Sequence, residues 1–150
     1  MCARGASSKA MVGRSSATLD TMKPILADRF HHDGRGPTLQ AVHLASRSAQ
    51  LIACDFLNSD DRPEQLKHLL FARAQVFMFT PEEVENYATS QVNWGNTNGA
   101  AIVNLGRSSW LGTFNPHHLL KCEHYRVMFY DELLDVICED IQVKAGGYGV

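Results

Sequence analysis

The chain has 150 residues, 45% of them hydrophobic and 20% charged, a composition that fits one soluble globular domain with a single core. Its formal net charge of -2 gives no drive toward nucleic acid or anionic lipid, and no run of 18 apolar residues is present to cross a membrane as a helix. The charge is uneven: residues 1–37 carry six Lys/Arg against three Asp/Glu, and six acids follow Cys122, namely Glu123, Asp131, Glu132, Asp135, Glu139 and Asp140.

The first 22 residues are rich in Ser, Ala, Gly and Arg and lack an apolar stretch. They are expected to form a disordered tail, not a secretory signal. Thr38–Ala45 alternates polar and apolar residues behind Gly34, Gly36 and Pro37, the pattern of a strand that starts after a turn. Arg47-Ser48 leads into a second strand, Ala49–Leu57. Asp61 with Glu64 three residues on suggests a helical turn near 63–68, and a strand is expected from about Leu70 to Phe79.

Thr80-Pro81-Glu82-Glu83 combines a capping residue, proline at the first helical position and acids in the first turn, so a helix is expected to about Ala88 or Thr89. Asn98-Gly99 marks a tight turn. Ala100–Leu105 and Ser109–Phe114 then form a plausible strand pair, and Asn115-Pro116 opens a helical turn over His117–Lys121. The final stretch, His124 to Val143, is a hairpin: Tyr125, Val127 and Phe129 alternate with Arg126, Met128 and Tyr130 before the break at Asp131-Glu132. Gly146-Gly147-Tyr148-Gly149 reads as a flexible tail.

The expected fold is α+β and mainly β: an antiparallel curved sheet, a partial barrel or a sandwich, with one or two short helices. The expected organisation is a tail over 1–22, one β-rich domain over 23–145 and a short tail over 146–150.

Motifs of catalysis are sparse. No G-x-S-x-G elbow, H-E-x-x-H helix or phosphate-cradling loop occurs, and Ser108-Ser109 beside Trp110 has no sequence neighbour to activate it. No cofactor is expected. Asp131, Glu132 and Asp135 sit near the hairpin turn, where solvated carboxylates are the simpler expectation. The seven histidines raise the question of metal, and His118, Cys122 and His124 are the one conceivable ligand set. The four cysteines form no C-x-x-C pair, which favours a reducing, cytoplasmic setting.

Two loops suit recognition. Trp94 and Asn96 combine an aromatic platform with an amide, and Arg107 and Trp110 repeat the combination. The functional expectation is therefore a non-catalytic protein-interaction module. Trp94, Asn96, Arg107, Trp110, Glu132 and Asp135 are its candidate contacts, and the acidic hairpin is suited to a partner with a basic surface. Exposed edge strands also leave a homodimer open. The alternative class is a metal- or small-ligand-binding protein, possibly an enzyme, using His118, Cys122 and His124. A ligand cavity would be lined by Phe56, Phe77, Phe79 and Phe129.

Overall fold

A computed structural model of the chain describes residues 22–84, 92 and 94–149. The chain is mainly β, with two antiparallel sheets. One has five strands in the order β1 (Lys23–Ile25), β6 (Ile102–Gly106), β7 (Glu123–Met128), β8 (Glu132–Cys138) and β5 (Val76–Pro81). The other has four: β2 (Thr38–Leu44), β3 (Leu51–Leu57), β4 (Lys67–Ala72) and β9 (Asp140–Ala145).

A single long ribbon links the sheets. Lys67 to Ala72 pairs with Ala145 to Asp140, and Val76 to Pro81 pairs with Ile137 to Glu132. At the corner, Arg73-Ala74-Gln75 faces only Cys138-Glu139, so the first arm carries one extra residue. That is a β-bulge, which bends the ribbon out of one sheet and into the other. Arg73 takes the left-handed conformation (φ 54°), and Gln75 N–H to Ile137 O and Glu139 N–H to Ala72 O, both 2.8 Å, hold the two sides. The single strand expected over 70–79 is therefore two strands, because the bulge divides it.

Four of the strands supply much of the main core, whereas Val42 and Leu44 of β2 stay exposed. Tyr125 and Val127 of β7, Leu134 and Val136 of β8, Cys54 and Phe56 of β3 and Leu69 and Phe71 of β4 belong to one buried cluster shared by the two sheets. Phe30 packs edge-on against Phe56 (centroids 4.7 Å apart) and Phe129 (5.5 Å), tying the segment after β1 to both layers.

Alternation sends the other side chains of the five-stranded sheet to its outer face. There a smaller cluster of Leu111, Leu119, Cys122 and Ile137, flanked by Val76, Trp110 and Phe114, lies beneath loop 107–122. The strand expected over Ser109–Phe114 is absent. Ser108 Oγ accepts the Leu111 N–H (3.2 Å), the backbone closes a 3-10 turn at Leu111–Thr113, and Trp110 packs down onto the sheet. Among the described residues helical structure is confined to such turns; the helix expected from Pro81 starts as a 3-10 turn at Glu82–Val84, and residues 85–89 lie outside those described. The turn at Asn98-Gly99 is as expected: both residues have positive φ (54° and 84°), and Ala100 N–H reaches Thr97 O at 3.0 Å.

Residues 1–21 also lie outside the described part. Residues 146–149 lie against the outer face of the four-stranded sheet, where Tyr148 N–H donates to Asp55 Oδ1 at 2.9 Å.

Candidate functional site

Two groups of side chains meet around loop 107–122, one sealed beneath it and one open beside it. The sealed group begins on β7, where His124 and Arg126 point to the outer face. The hairpin register sets Arg126 directly opposite Asp135 of β8. Arg126 Nε and Nη2 donate to Asp135 Oδ1 and Oδ2 at 2.8 and 2.9 Å, a two-pronged charged pair. His124 Nε2 lies 2.7 Å from Asp135 Oδ1, and its Nδ1 lies 2.7 Å from Ser108 Oγ.

The bond pattern assigns the protons. The ionised Asp135 carboxylate can only accept, so His124 Nε2–H donates to it, and Nδ1 of the neutral ring accepts the Ser108 hydroxyl, whose oxygen also accepts the Leu111 N–H. Burial alone raises the Asp135 carboxyl, but the hydrogen bonds from His124 and Arg126 and the Arg126 charge outweigh it and hold the group below the usual carboxylate range. The Trp110 ring covers His124 at 4.8 Å between centroids.

Serine, histidine and aspartate in series are the parts of an activated nucleophile. Here they are closed off. Ser108, His124 and Asp135 are 3% exposed or less. The hydroxyl is committed on both sides, to the Leu111 N–H and to His124 Nδ1. The network acts as a buried pin that fastens the loop to β7 and β8. One buried polar atom in it, Arg126 Nη1, has no hydrogen-bond partner.

The open group lies where the loop meets the sheet corner. Asn115 Oδ1 accepts the His117 N–H (3.0 Å) and starts the 3-10 turn Pro116–His118, which leaves both imidazoles exposed. Leu119 anchors the turn in the small cluster, and Arg107 Nη1 ties down the loop by donating to Leu119 O (2.6 Å) and Cys122 O (3.0 Å). Leu120 and Lys121 are consequently thrown outward, and Leu120 is 76% exposed. Together with Arg73 and Glu139 these residues line a cleft of about 430 Å³. Arg73, Lys121, His117 and His118 face one acid, Glu139, which Arg73 already binds at 2.8 Å. A second hollow of about 360 Å³ adjoins Arg73 and is lined also by Ser48, Gln50, Gln75 and Phe77.

The residues singled out by sequence are divided among these regions. His118 is in the open cleft, His124 and Asp135 are in the sealed network, and Trp110 is its cover. Arg107 holds the loop through backbone carbonyls. Cys122 is buried in the small cluster, and its thiol is pushed up mainly by that burial. Among the described residues no three His, Cys, Asp or Glu side chains are grouped to hold a metal ion. Trp94 lies apart, half-buried in the 3-10 turn Trp94–Asn96 and packed against the main core, with Asn96 exposed. Asn93 is outside the described residues. Glu132 pairs with Pro81 at the hairpin end, where burial and the neighbouring Asp131 raise its carboxyl. Phe56 and Phe129 are filled into the core, and Phe77 and Phe79 pack edge-on against each other on β5.

Ser108 had no partner legible in the sequence, and Arg126, Arg73, His117 and Lys121 were not among the expected site residues. The pair Arg126–Asp135 had a legible signal: a two-residue turn at Tyr130-Asp131 sets them opposite each other, two charges at matched positions in apolar strands. No such signal exists for the cleft, whose members come from the bulge and the loop.

Comparison with known proteins finds no match to this chain among family models, curated proteins or solved structures. Among the described residues no helix is long and apolar enough to cross a membrane.

Proposed function

We propose that this protein is a non-catalytic interaction module that binds an acidic segment of a partner protein in the cleft formed by Arg73, His117, His118, Leu120 and Lys121. The supporting observation is the composition of that cleft among the described residues: four basic side chains around one strongly exposed leucine, with the one acid, Glu139, already paired. Arginine and lysine there are cations throughout the physiological range, and the leucine offers an apolar anchor beside them. The acids that pointed to a basic partner are partly spent within the fold, Asp135 on Arg126 and His124 and Glu139 on Arg73. The enzyme or metal reading through His118, Cys122 and His124 has less support, because both ring nitrogens of His124 are engaged and its three members face different surroundings. A cytoplasmic setting is favoured by three buried free thiols, Cys54, Cys122 and Cys138.

Selection of a displayed library of random peptides, roughly twelve residues long, on the full chain tests this. Enriched peptides are expected to carry Asp or Glu near an apolar residue. Their affinity should fall about tenfold or more on Lys121→Glu, a loss of about 1.4 kcal/mol. It should also weaken between roughly 50 and 500 mM NaCl. Enrichment of basic peptides, or binding indifferent to Lys121→Glu, overturns the proposal.

A further inference from the structure

The binding surface extends beyond the cleft. Among the described residues four strands end the two sheets, and three of them are defended against strand addition. β1 is three residues long and contains Lys23 and Pro24. β9 carries Asp140 and Lys144. The pairing of β2 with β3 shifts between Leu39 and Ala41 and again between His43 and Leu44. β5 differs: Val-Phe-Met-Phe-Thr-Pro holds no charge, and its register with β8 is unbroken from Val76 to Pro81.

The free edge of β5 can be read from its hydrogen bonds. Glu82 N–H donates to Asp131 O at 2.9 Å, which fixes the bonded pairs along the ladder. By alternation, the N–H and C=O groups of Phe77 and Phe79 point away from β8. Pro81 falls at an outward position too, where its missing N–H costs no ladder bond and ends the usable edge. Among the described residues nothing pairs with this edge. Its Phe77 end opens onto the second hollow, and that hollow shares Arg73 with the cationic cleft.

We infer that the acidic partner segment binds as an added antiparallel strand along β5, with its acidic residues running past Arg73 into the cleft. This rests on the proposed acidic-segment function. Val76 is three steps along the chain from Arg73, roughly 10 Å at strand rise. The acids therefore follow the paired stretch by two or three residues on its C-terminal side. The alternating side chains of the added strand supply contacts, and the backbone bonds to Phe77 and Phe79 supply register.

The test uses the full chain and a fluorescein-labelled peptide, Thr-Val-Thr-Val-Thr-Gly-Gly-Glu-Glu, with three relatives. One is N-methylated at both valines, one at the three threonines, and one has both glutamates changed to glutamine. The parent peptide is expected to bind and to slow amide exchange at Phe77 and Phe79. One of the two N-methylated peptides should bind about tenfold more weakly or worse, as loss of two hydrogen bonds implies. The glutamine peptide should also weaken. If both N-methylated peptides bind like the parent while the glutamine peptide weakens, strand addition is overturned and the cleft survives. If the N-methylated peptides weaken and the glutamine peptide does not, the acidic class is overturned. No binding of the parent up to about 1 mM overturns both. A concentration-dependent dimer that already protects Phe77 and Phe79 in the free protein gives the edge to a second copy and overturns the inference.

Discussion

Each sheet carries a histidine–aspartate pair on its outer face, and the two pairs differ mainly in what covers them. His124 and Asp135 lie 2.7 Å apart with side chains 1% and 3% exposed, beneath Trp110 and loop 107–122. His43 and Asp55 lie 3.0 Å apart with side chains 30% and 9% exposed. Over them folds the short segment at 146–149, with Tyr148 beside both His43 and His68. The same two side chains joining neighbouring strands thus have unequal consequences. In the sealed pair, loss of one member leaves charges with no water to turn to. In the open pair, water replaces much of what is lost.

The largest expected effect follows directly. Asp135→Ala leaves Arg126 and His124 buried without their anion and should cost about 3–5 kcal/mol in urea unfolding. Adding Arg126→Met should recover part of that loss, because the second change removes the stranded charge; additive losses would contradict a coupled network. Asp55→Ala should cost less, about 1–2 kcal/mol, since it gives up the His43 contact and the Tyr148 N–H at a partly open site. Equal losses at the two positions would show that burial does not set the cost.

Acid sensitivity comes next. The Asp135 carboxyl titrates below its ordinary value in the fold, so the folded state binds fewer protons than the unfolded chain there. Its stabilisation is complete above the unfolded carboxyl value of about 4 and is lost as pH falls toward the lower folded value. Asp61, held down by its hydrogen bond to Lys67 against the effect of burial, contributes with the same sign. Stability measured from pH 6 downward should therefore fall below about pH 4, with a shallower slope in Asp135→Asn and a residual slope from Asp61.

Two further substitutions probe the two coverings. Ser108→Ala removes the hydroxyl that serves both His124 and Leu111 and should cost about 1–3 kcal/mol. Gly147→Ala should cost about 1 kcal/mol, because the added carbon would meet the flexible end of Leu66 (3.0 Å), which can give, and the Asp55 carboxylate (3.2 Å), which His43 and Tyr148 hold in place.

The pattern of what the residue order revealed follows the same division. Strands over 51–57 and 123–128 were legible because one face is apolar at every second position, and the strand over 38–44 because turn residues precede it. Asp135 was misjudged because a carboxylate near a turn is ordinarily solvated. Its partner Arg126 lies nine residues back, and only the hairpin register brings them together. The corner of the ribbon was invisible, since Arg73-Ala74-Gln75 has neither glycine nor proline to announce a bulge. Ser109–Phe114 carries strand-like residues, yet a local bond from Leu111 to Ser108 and the packing of Trp110 outweigh that propensity. The cleft depends on both of these features, and so it was hidden as well.

In the proposed division of labour, the network beneath loop 107–122 holds the structure and the cleft beside it binds the partner. Ser108→Ala and Lys121→Glu separate the two roles when melting temperature and affinity for the acidic peptide are measured side by side. The expected result is a lower melting temperature with retained affinity for Ser108→Ala, and an unchanged melting temperature with affinity down about tenfold or more for Lys121→Glu. Loss of binding in Ser108→Ala while it remains folded, with Lys121→Glu binding as well as the wild type, would contradict the claim.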